Sequence, residues 1–250
     1  MKVHFLGTGT STGVPQIGCR CKTCTSTDPH DKRLRASVLI NTGDKDILID
    51  CGPDLRTQLL NADSPNIDAL LITHSHYDHV GGLIDLRSYC YEKDFHVYCQ
   101  KDVIRDLHTT FPYCFVKNPY PGVPVFDIHE VNGYQPFTIG ATEIVPLPVM
   151  HYKLPILGYR FGDLAYITDC KTMPVQTIEA LRGVRTLIIN ALRIEPHMSH
   201  LSLRECLEIV EKIGPERTLL THVSHGMGPA ATVRLPENVE IAYDGQTIVQ

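Results

Sequence analysis

The chain has 250 residues, 43% of them apolar, with a formal charge of -5 and nine cysteines. That length allows one large or two small domains around a sizeable core. The acidic balance disfavours a general polyanion-binding surface, and no stretch of 18 apolar residues marks a transmembrane helix.

Lys2 to Leu6 reads as the first strand, and Met1 to Gly7 turns polar too quickly for a signal peptide. The glycine-rich stretch Gly7 to Gly13 is not followed by a helix or by a Lys-Ser/Thr pair, so a tight turn is expected there rather than a phosphate-binding loop. Next come Cys19, Cys21 and Cys24, whose spacing suits three corners of a tetrahedral zinc site; spacing alone would nominate His30 as the fourth. The other six cysteines, Cys51, Cys90, Cys99, Cys114, Cys170 and Cys206, are scattered and read as small buried hydrophobes. An odd cysteine count with no export signal fits reduced thiols in a cytoplasm.

Short apolar strands are expected at Ser37 to Asn41, Asp46 to Asp50, Ala69 to Thr73, Phe95 to Cys99 and Phe137 to Val149. Later ones are expected at Gly158 to Phe161, Leu164 to Thr168, Thr186 to Ala191, Thr218 to His222 and Val239 to Tyr243. Several are continuously apolar, as strands covered on both faces should be. Helices are expected at Asp54 to Asn61, Val80 to Tyr91, Asp102 to Thr109, Val175 to Leu181 and Ser202 to Ile213. The last opens on a capping box, Ser202 with Glu205, and Gly214-Pro215 closes it. The proline-rich stretch Phe111 to Pro124 reads as a long excursion, lid or interface. No linker divides the chain, so one mixed α/β domain spanning 1–250 is expected.

The chemistry concentrates at His74-Ser75-His76-Tyr77-Asp78-His79, directly after the apolar run Ala69 to Thr73. Imidazole nitrogens and carboxylates are ligands for zinc and similar cations. Two ions need about eight ligand positions, some left for water and substrate. His151, Asp169 and His222 each follow another apolar strand, so all four groups occupy one kind of position, the end of a strand. Isolated histidines such as His4, His96, His108 and His129 read as hydrogen-bonded or surface residues.

This ordered set resembles the metallo-β-lactamase-fold hydrolases over essentially the whole chain. The resemblance implies a four-layer αββα sandwich of two mixed sheets flanked by helices, with metals at one edge. It implies that His74, His76 and His151 hold one ion, that Asp78, His79 and His222 hold the other, and that Asp169 bridges them. Asp50 resembles the family's supporting aspartate, which orders the ligand loop from behind. His200 aligns in order with a histidine that phosphodiesterases of the superfamily place near the scissile bond, where it would protonate the leaving alkoxide or bind a phosphoryl oxygen. A narrower likeness, to the subgroup containing the phosphodiesterase of the bacterial carbon–phosphorus lyase pathway, rests on the glycine-rich loop, the cysteine cluster and His225 three places after His222. It names His225 rather than His30 as partner of Cys19, Cys21 and Cys24 in a structural zinc site.

The expected cofactors are therefore two divalent ions, zinc or manganese, and one structural zinc. A shared water, its pKa lowered from 15.7 toward about 7, would attack a small phosphate diester, cyclic ones included, as a bridging hydroxide; Asp78 and His200 are the expected catalytic residues. A tRNA 3′-processing nuclease would want a basic glycine-rich arm, which is not evident, so nucleic acid is disfavoured as a partner. A glyoxalase-type thioesterase would need a helical thiol-substrate domain beyond His225. A non-catalytic zinc-stabilised binding protein is the reading from another class. A homodimer stays open, and no membrane partner is expected.

Overall fold

Strands that read as unbroken apolar runs are apolar on both faces because each face meets a different layer. In the computed structural model, which describes residues 1–91, 94–116 and 120–250, fourteen strands form two sheets of seven. The first sheet contains β1 (Lys2–Gly7), β2 (Ser37–Asn41), β3 (Asp46–Ile49), β4 (Ala69–Leu71), β5 (Phe95–Cys99), β6 (Phe126–Glu130) and β14 (Thr247–Val249). Their spatial order is β14-β1-β2-β3-β4-β5-β6, parallel from β3 to β6 and antiparallel elsewhere. The second sheet contains β7 (Phe137–Ile139), β8 (Thr142–His151), β9 (Leu154–Phe161), β10 (Leu164–Ile167), β11 (Thr186–Asn190), β12 (Arg217–Thr221) and β13 (Val239–Ile241). Its order is β13-β12-β11-β10-β9-β8-β7, parallel from β10 to β13.

Side chains alternate across each strand, and the cores follow that period. Val38, Ile40, Ile47 and Ile49 of the first sheet meet Leu164, Tyr166, Ile188 and Leu219 of the second in the core between the sheets. Leu39, Leu48 and Leu70 point the other way, toward α1 (Leu55–Asn61) and α3 (Lys101–Thr110). Ala165, Ile167, Leu187, Ile189 and Leu220 face α4 (Val175–Ala180) and α5 (Leu203–Ile213). The result is the four-layer αββα arrangement.

Helix α5 has the expected capping box: Ser202 accepts from Glu205 N while the Glu205 side chain takes the Ser202 N–H. Gly214 ends the helix in the left-handed region at φ 70. Elsewhere the chain departs from the sequence pattern. The helix expected over Val80 to Tyr91 is a single α-turn, α2 (Tyr77–Val80), followed by a 3-10 stretch, Leu83–Cys90. Gly81 and Gly82 intervene, and a Cβ on Gly82 would stand 2.2 Å from the Gly52 carbonyl oxygen. The Gly82 N–H donates to the Cys51 carbonyl at 2.8 Å instead of up the helix, so no continuous α-helix forms. The run Phe137 to Val149 is a hairpin, split at Gly140 with φ 59. Strands β6 and β14 were not predicted; β6 shows little apolar bias, because its side chains are only partly buried at the sheet edge. Of the Phe111 to Pro124 excursion, Pro112–Cys114 is a 3-10 turn, and 117–119 lie outside the described residues.

Among the described residues no helix is long and apolar enough to cross a membrane. Cys51, Cys99, Cys114, Cys170 and Cys206 are buried, and Cys90 is half-buried.

Candidate metal centre

Strand direction brings the ligand candidates to one place. β3 and β4 run parallel and end at Asp50 and Thr73-His74. β10 and β12 end at Asp169 and His222; β8 runs with them, because both β8 and β10 are antiparallel to β9, and it ends at His151. Asp50, Asp169 and His222, one at each of three strand ends, adopt left-handed backbone at φ 60, 53 and 52. Non-glycine residues take that conformation at a cost that clusters at working sites. Here it turns each side chain out of its sheet and across the edge.

The carboxylate of Asp169 is the hub. Its Oδ2 lies 3.0 Å from His79 Nε2, and its Oδ1 lies 3.3 Å from both His222 Nε2 and His200 Nδ1. Asp78 Oδ2 stands 3.2 Å from His79 Nε2 and 3.5 Å from His222 Nε2. His74 Nε2 is 3.0 Å from His76 Nδ1, and the His76 and His151 rings meet edge to face at 5.1 Å. Three ligand groups have their donor atoms within 4.8 Å of one another: His74, His79 and Asp169; Asp78, His79 and His222; and His151, Asp169 and His200. All seven expected metal ligands thus converge, and His200 stands beside them.

Hydrogen bonds set which imidazole nitrogen is free. Asp50 Oδ1 accepts from Thr73 N at 2.8 Å and its Oδ2 from the Thr73 hydroxyl at 2.9 Å. The Thr73 oxygen therefore accepts from His74 Nδ1, 3.0 Å away. Asp50 Oδ2 also accepts from His79 Nδ1 at 2.7 Å. His151 Nδ1 faces only carbonyl oxygens, those of Asp169 at 3.0 Å and Ser199 at 2.9 Å, so it carries a proton. In His74, His79 and His151 the Nε2 lone pair is left facing inward, as a metal ligand requires.

The donor set fits divalent cations. His79 Nε2, both nitrogens of His222 and His200 Nδ1 are buried without a hydrogen-bond partner. Such atoms are costly unless something completes them. Burial and the neighbouring His79 push His74 well below the ordinary imidazole range. Burial opposes ionisation of Asp78 and Asp169, yet the imidazoles around them hold both carboxyls well below the usual range. Burial also works against a charged His79, but Asp50, Asp169 and Asp78 outweigh it and hold that imidazole's pKa well up. Carboxylates ionised at neutral pH, and their pull toward positive charge on the imidazole between them, describe a pocket that prefers a cation at its centre. Burial takes His200 down to about 3, so it is neutral at physiological pH.

The thiol cluster sits next door. His225 Nδ1 is 3.4 Å from Cys19 Sγ and 3.3 Å from Cys21 Sγ, and Cys24 completes a group of four within ligand range. Tetrahedral zinc ligands of this kind stand about 3.5 Å apart. A hydrogen bond from the Cys24 backbone and another from His225 take the Cys21 thiol down to about 6, whereas burial lifts Cys24 to about 11. His30 lies elsewhere, packed on Tyr243 at 4.2 Å. Backbone bonds between Thr8, Thr10 and Val223 tie the N-terminal loop beside His222.

Sequence reasoning passed over the threonines. Thr73, Thr168 and Thr221 are fully buried and directly precede His74, Asp169 and His222. The Thr168 hydroxyl donates to Asp169 Oδ2 at 3.0 Å. A threonine immediately before each of three strand-end ligands was a readable signal.

Fold and site together define a metallo-β-lactamase-type domain whose strand-end donors suit divalent cations. Residues 45–223 match the beta-lactamase superfamily domain. The crystal structure of a diphosphatase from the PhnP family superposes with a TM-score of 0.92 at 37% identity, covering 99% of this chain and 96% of that one. The chain belongs to the beta-lactamase superfamily and, within it, to the PhnP family. An octanoyltransferase of Porphyromonas gingivalis is 43% identical over 98% of this chain, which spans about half (51%) of that relative's length. Zn²⁺-bound PqqB from Methylobacterium extorquens shares the fold over the full length of both chains, with a TM-score of 0.81 at 18% identity.

Proposed function

We propose that the chain is a dinuclear metal phosphodiesterase that hydrolyses a small phosphate diester, cyclic ones included. The observation that carries this reading is the carboxylate of Asp169, in reach of His79 on one side and of His222 and His200 on the other. Similarity to a diphosphatase of the PhnP family supports cleavage at phosphorus. His74, His76 and His151 would hold one ion, Asp78, His79 and His222 the other, with Asp169 between them. When bound, two zinc or manganese ions supply Lewis acidity toward phosphoryl oxygens and a water ionised near neutral pH.

The chain's own groups do the positioning. Asp50 takes the Nδ1 proton of His79 and, through Thr73, fixes the His74 ring. The Asp169 and Ser199 carbonyls fix His151. His200, 12% exposed, reaches solvent at the rim and is neutral, which suits donation of an N–H to a phosphoryl oxygen better than full proton transfer to a leaving group. Cys51 and Cys170, the thiols adjacent in sequence to Asp50 and Asp169, are fully buried, and burial lifts Cys170 to about 12, so neither offers a thiolate for a covalent acyl route.

The test is hydrolysis of bis(p-nitrophenyl) phosphate with added Mn²⁺ or Zn²⁺, followed by a panel of cyclic and linear diesters. Turnover is expected in wild type, and Asp169→Ala should lower it at least about a thousandfold. Well-folded wild-type protein that turns over no diester with any divalent metal would overturn the proposal.

A further inference from the structure

A third cluster of metal-ligating side chains lies away from both groups described above, on the open margin of the first sheet. Strands β5 and β6 pair in parallel with His96 opposite Asp127 and Tyr98 opposite His129. Side chains two apart share a face, so the four point to one side of the strand pair. Tyr98 packs against the core between the sheets, which identifies that side as the one facing the second sheet. β6 is the edge strand, and there the cover ends: His96, Asp127 and His129 have side chains 47%, 46% and 37% exposed.

The three donor atoms form a nearly equilateral triangle. His96 Nδ1 is 3.0 Å from Asp127 Oδ2 and 3.1 Å from His129 Nε2, and His129 Nε2 is 3.1 Å from the same Asp127 oxygen. Ligands held about 2.0–2.2 Å from one cation stand roughly 2.9–3.5 Å apart in octahedral or tetrahedral coordination. The triangle has the dimensions of one face of such a polyhedron. Hydrogen bonding alone explains it less well, since two imidazole nitrogens meet each other as well as the carboxylate oxygen. The ring of His129 is also held: it stacks on Tyr98 at 4.5 Å and 19°, and Tyr98 stacks in turn on Phe137 at 5.1 Å and 17°.

We propose that His96, Asp127 and His129 form an accessory site for a divalent transition-metal ion, with zinc as the reference ligand. Two imidazoles and one carboxylate on one face leave the remaining positions open to water. The ion would bind ligands from two adjacent strands, clamping the edge strand β6 to β5. The site does not depend on the phosphodiesterase reading, because none of its residues belongs to the catalytic edge.

Zinc content after equilibrium dialysis against micromolar Zn²⁺ tests it, comparing wild type with the double variant His96→Gln/His129→Gln. Wild type is expected to retain one more zinc per chain, while both proteins hydrolyse bis(p-nitrophenyl) phosphate alike if the metallophosphodiesterase reading holds. Added Zn²⁺ should slow amide exchange in Phe126–Glu130 of wild type and leave the variant unchanged. Asp127→Asn, which keeps the shape and removes the charge, should weaken the extra zinc at least tenfold. Equal zinc content in wild type and double variant overturns the site. A zinc-soaked crystal whose anomalous peak at this margin lies within 2.3 Å of only one of the three atoms overturns it as well.

Discussion

Asp50 shows how one residue can govern a centre without entering it. It is fully buried, takes three hydrogen bonds from Thr73 and His79, and sits at φ 60, so its backbone and side chain are committed together. Asp50→Asn preserves its shape but weakens its hold on His79 Nδ1–H. Metal retention, measured by elemental analysis after dialysis, should fall about 10–100-fold. His225 makes a comparable case for the thiol cluster. His225→Ala should release one zinc per chain and His30→Ala none; loss of that ion in the His30 variant instead would reassign the fourth ligand.

At the scale of the element, ends matter more than middles. Helix α5 begins on a complete capping box, and Ser202→Ala should lower stability by about 1 kcal/mol in urea unfolding, without touching the strand-end ligands. Gly214 has nothing within 4 Å of a notional Cβ, so Gly214→Ala meets only the left-handed backbone penalty, about 1 kcal/mol. Strand ends carry the centre itself. His74, Asp169 and His222 each follow a strand buried on both faces, which holds them more firmly than a mobile loop would.

For the whole molecule, the two sheets must stay in register across their shared core for the edge to assemble. Tyr159 of β9 donates its hydroxyl to the Ile72 carbonyl at 2.7 Å, and Leu157 N donates to the Thr73 carbonyl at 3.1 Å, bonds that join the second sheet to the strand end preceding His74. Tyr159→Phe leaves a buried carbonyl unpaired and should cost about 1–3 kcal/mol in global unfolding. Asp244 links chain ends in a similar way, accepting from the Thr8 hydroxyl and from Leu34 N beside Arg33. Burial pushes its carboxyl up to about 6, against the pull of those bonds and of the guanidinium. The folded state therefore keeps a proton that the unfolded chain releases near pH 4. Stability from this group is fully present below about pH 4 and falls, by about 2 kcal/mol, as pH rises to about 6. Asp244→Asn should flatten that part of the pH profile of urea unfolding; an unchanged slope would assign it to other groups.

The ligand types, their order along the chain and their place after apolar strands belong to the sequence alone, because donor chemistry and side-chain period are local properties. The same holds for the capping box of α5 and the two-faced apolar strands. Tertiary structure decided the rest. It broke the expected helix after Val80 through a backbone approach at Gly82, and it made β6 a strand through pairing that its weak apolar pattern does not announce. Proximity between residues far apart in the chain is set by sheet order and strand direction, not by spacing. For that reason His225 rather than His30 faces the thiols, and His96 and His129, unremarkable singly, meet over Asp127.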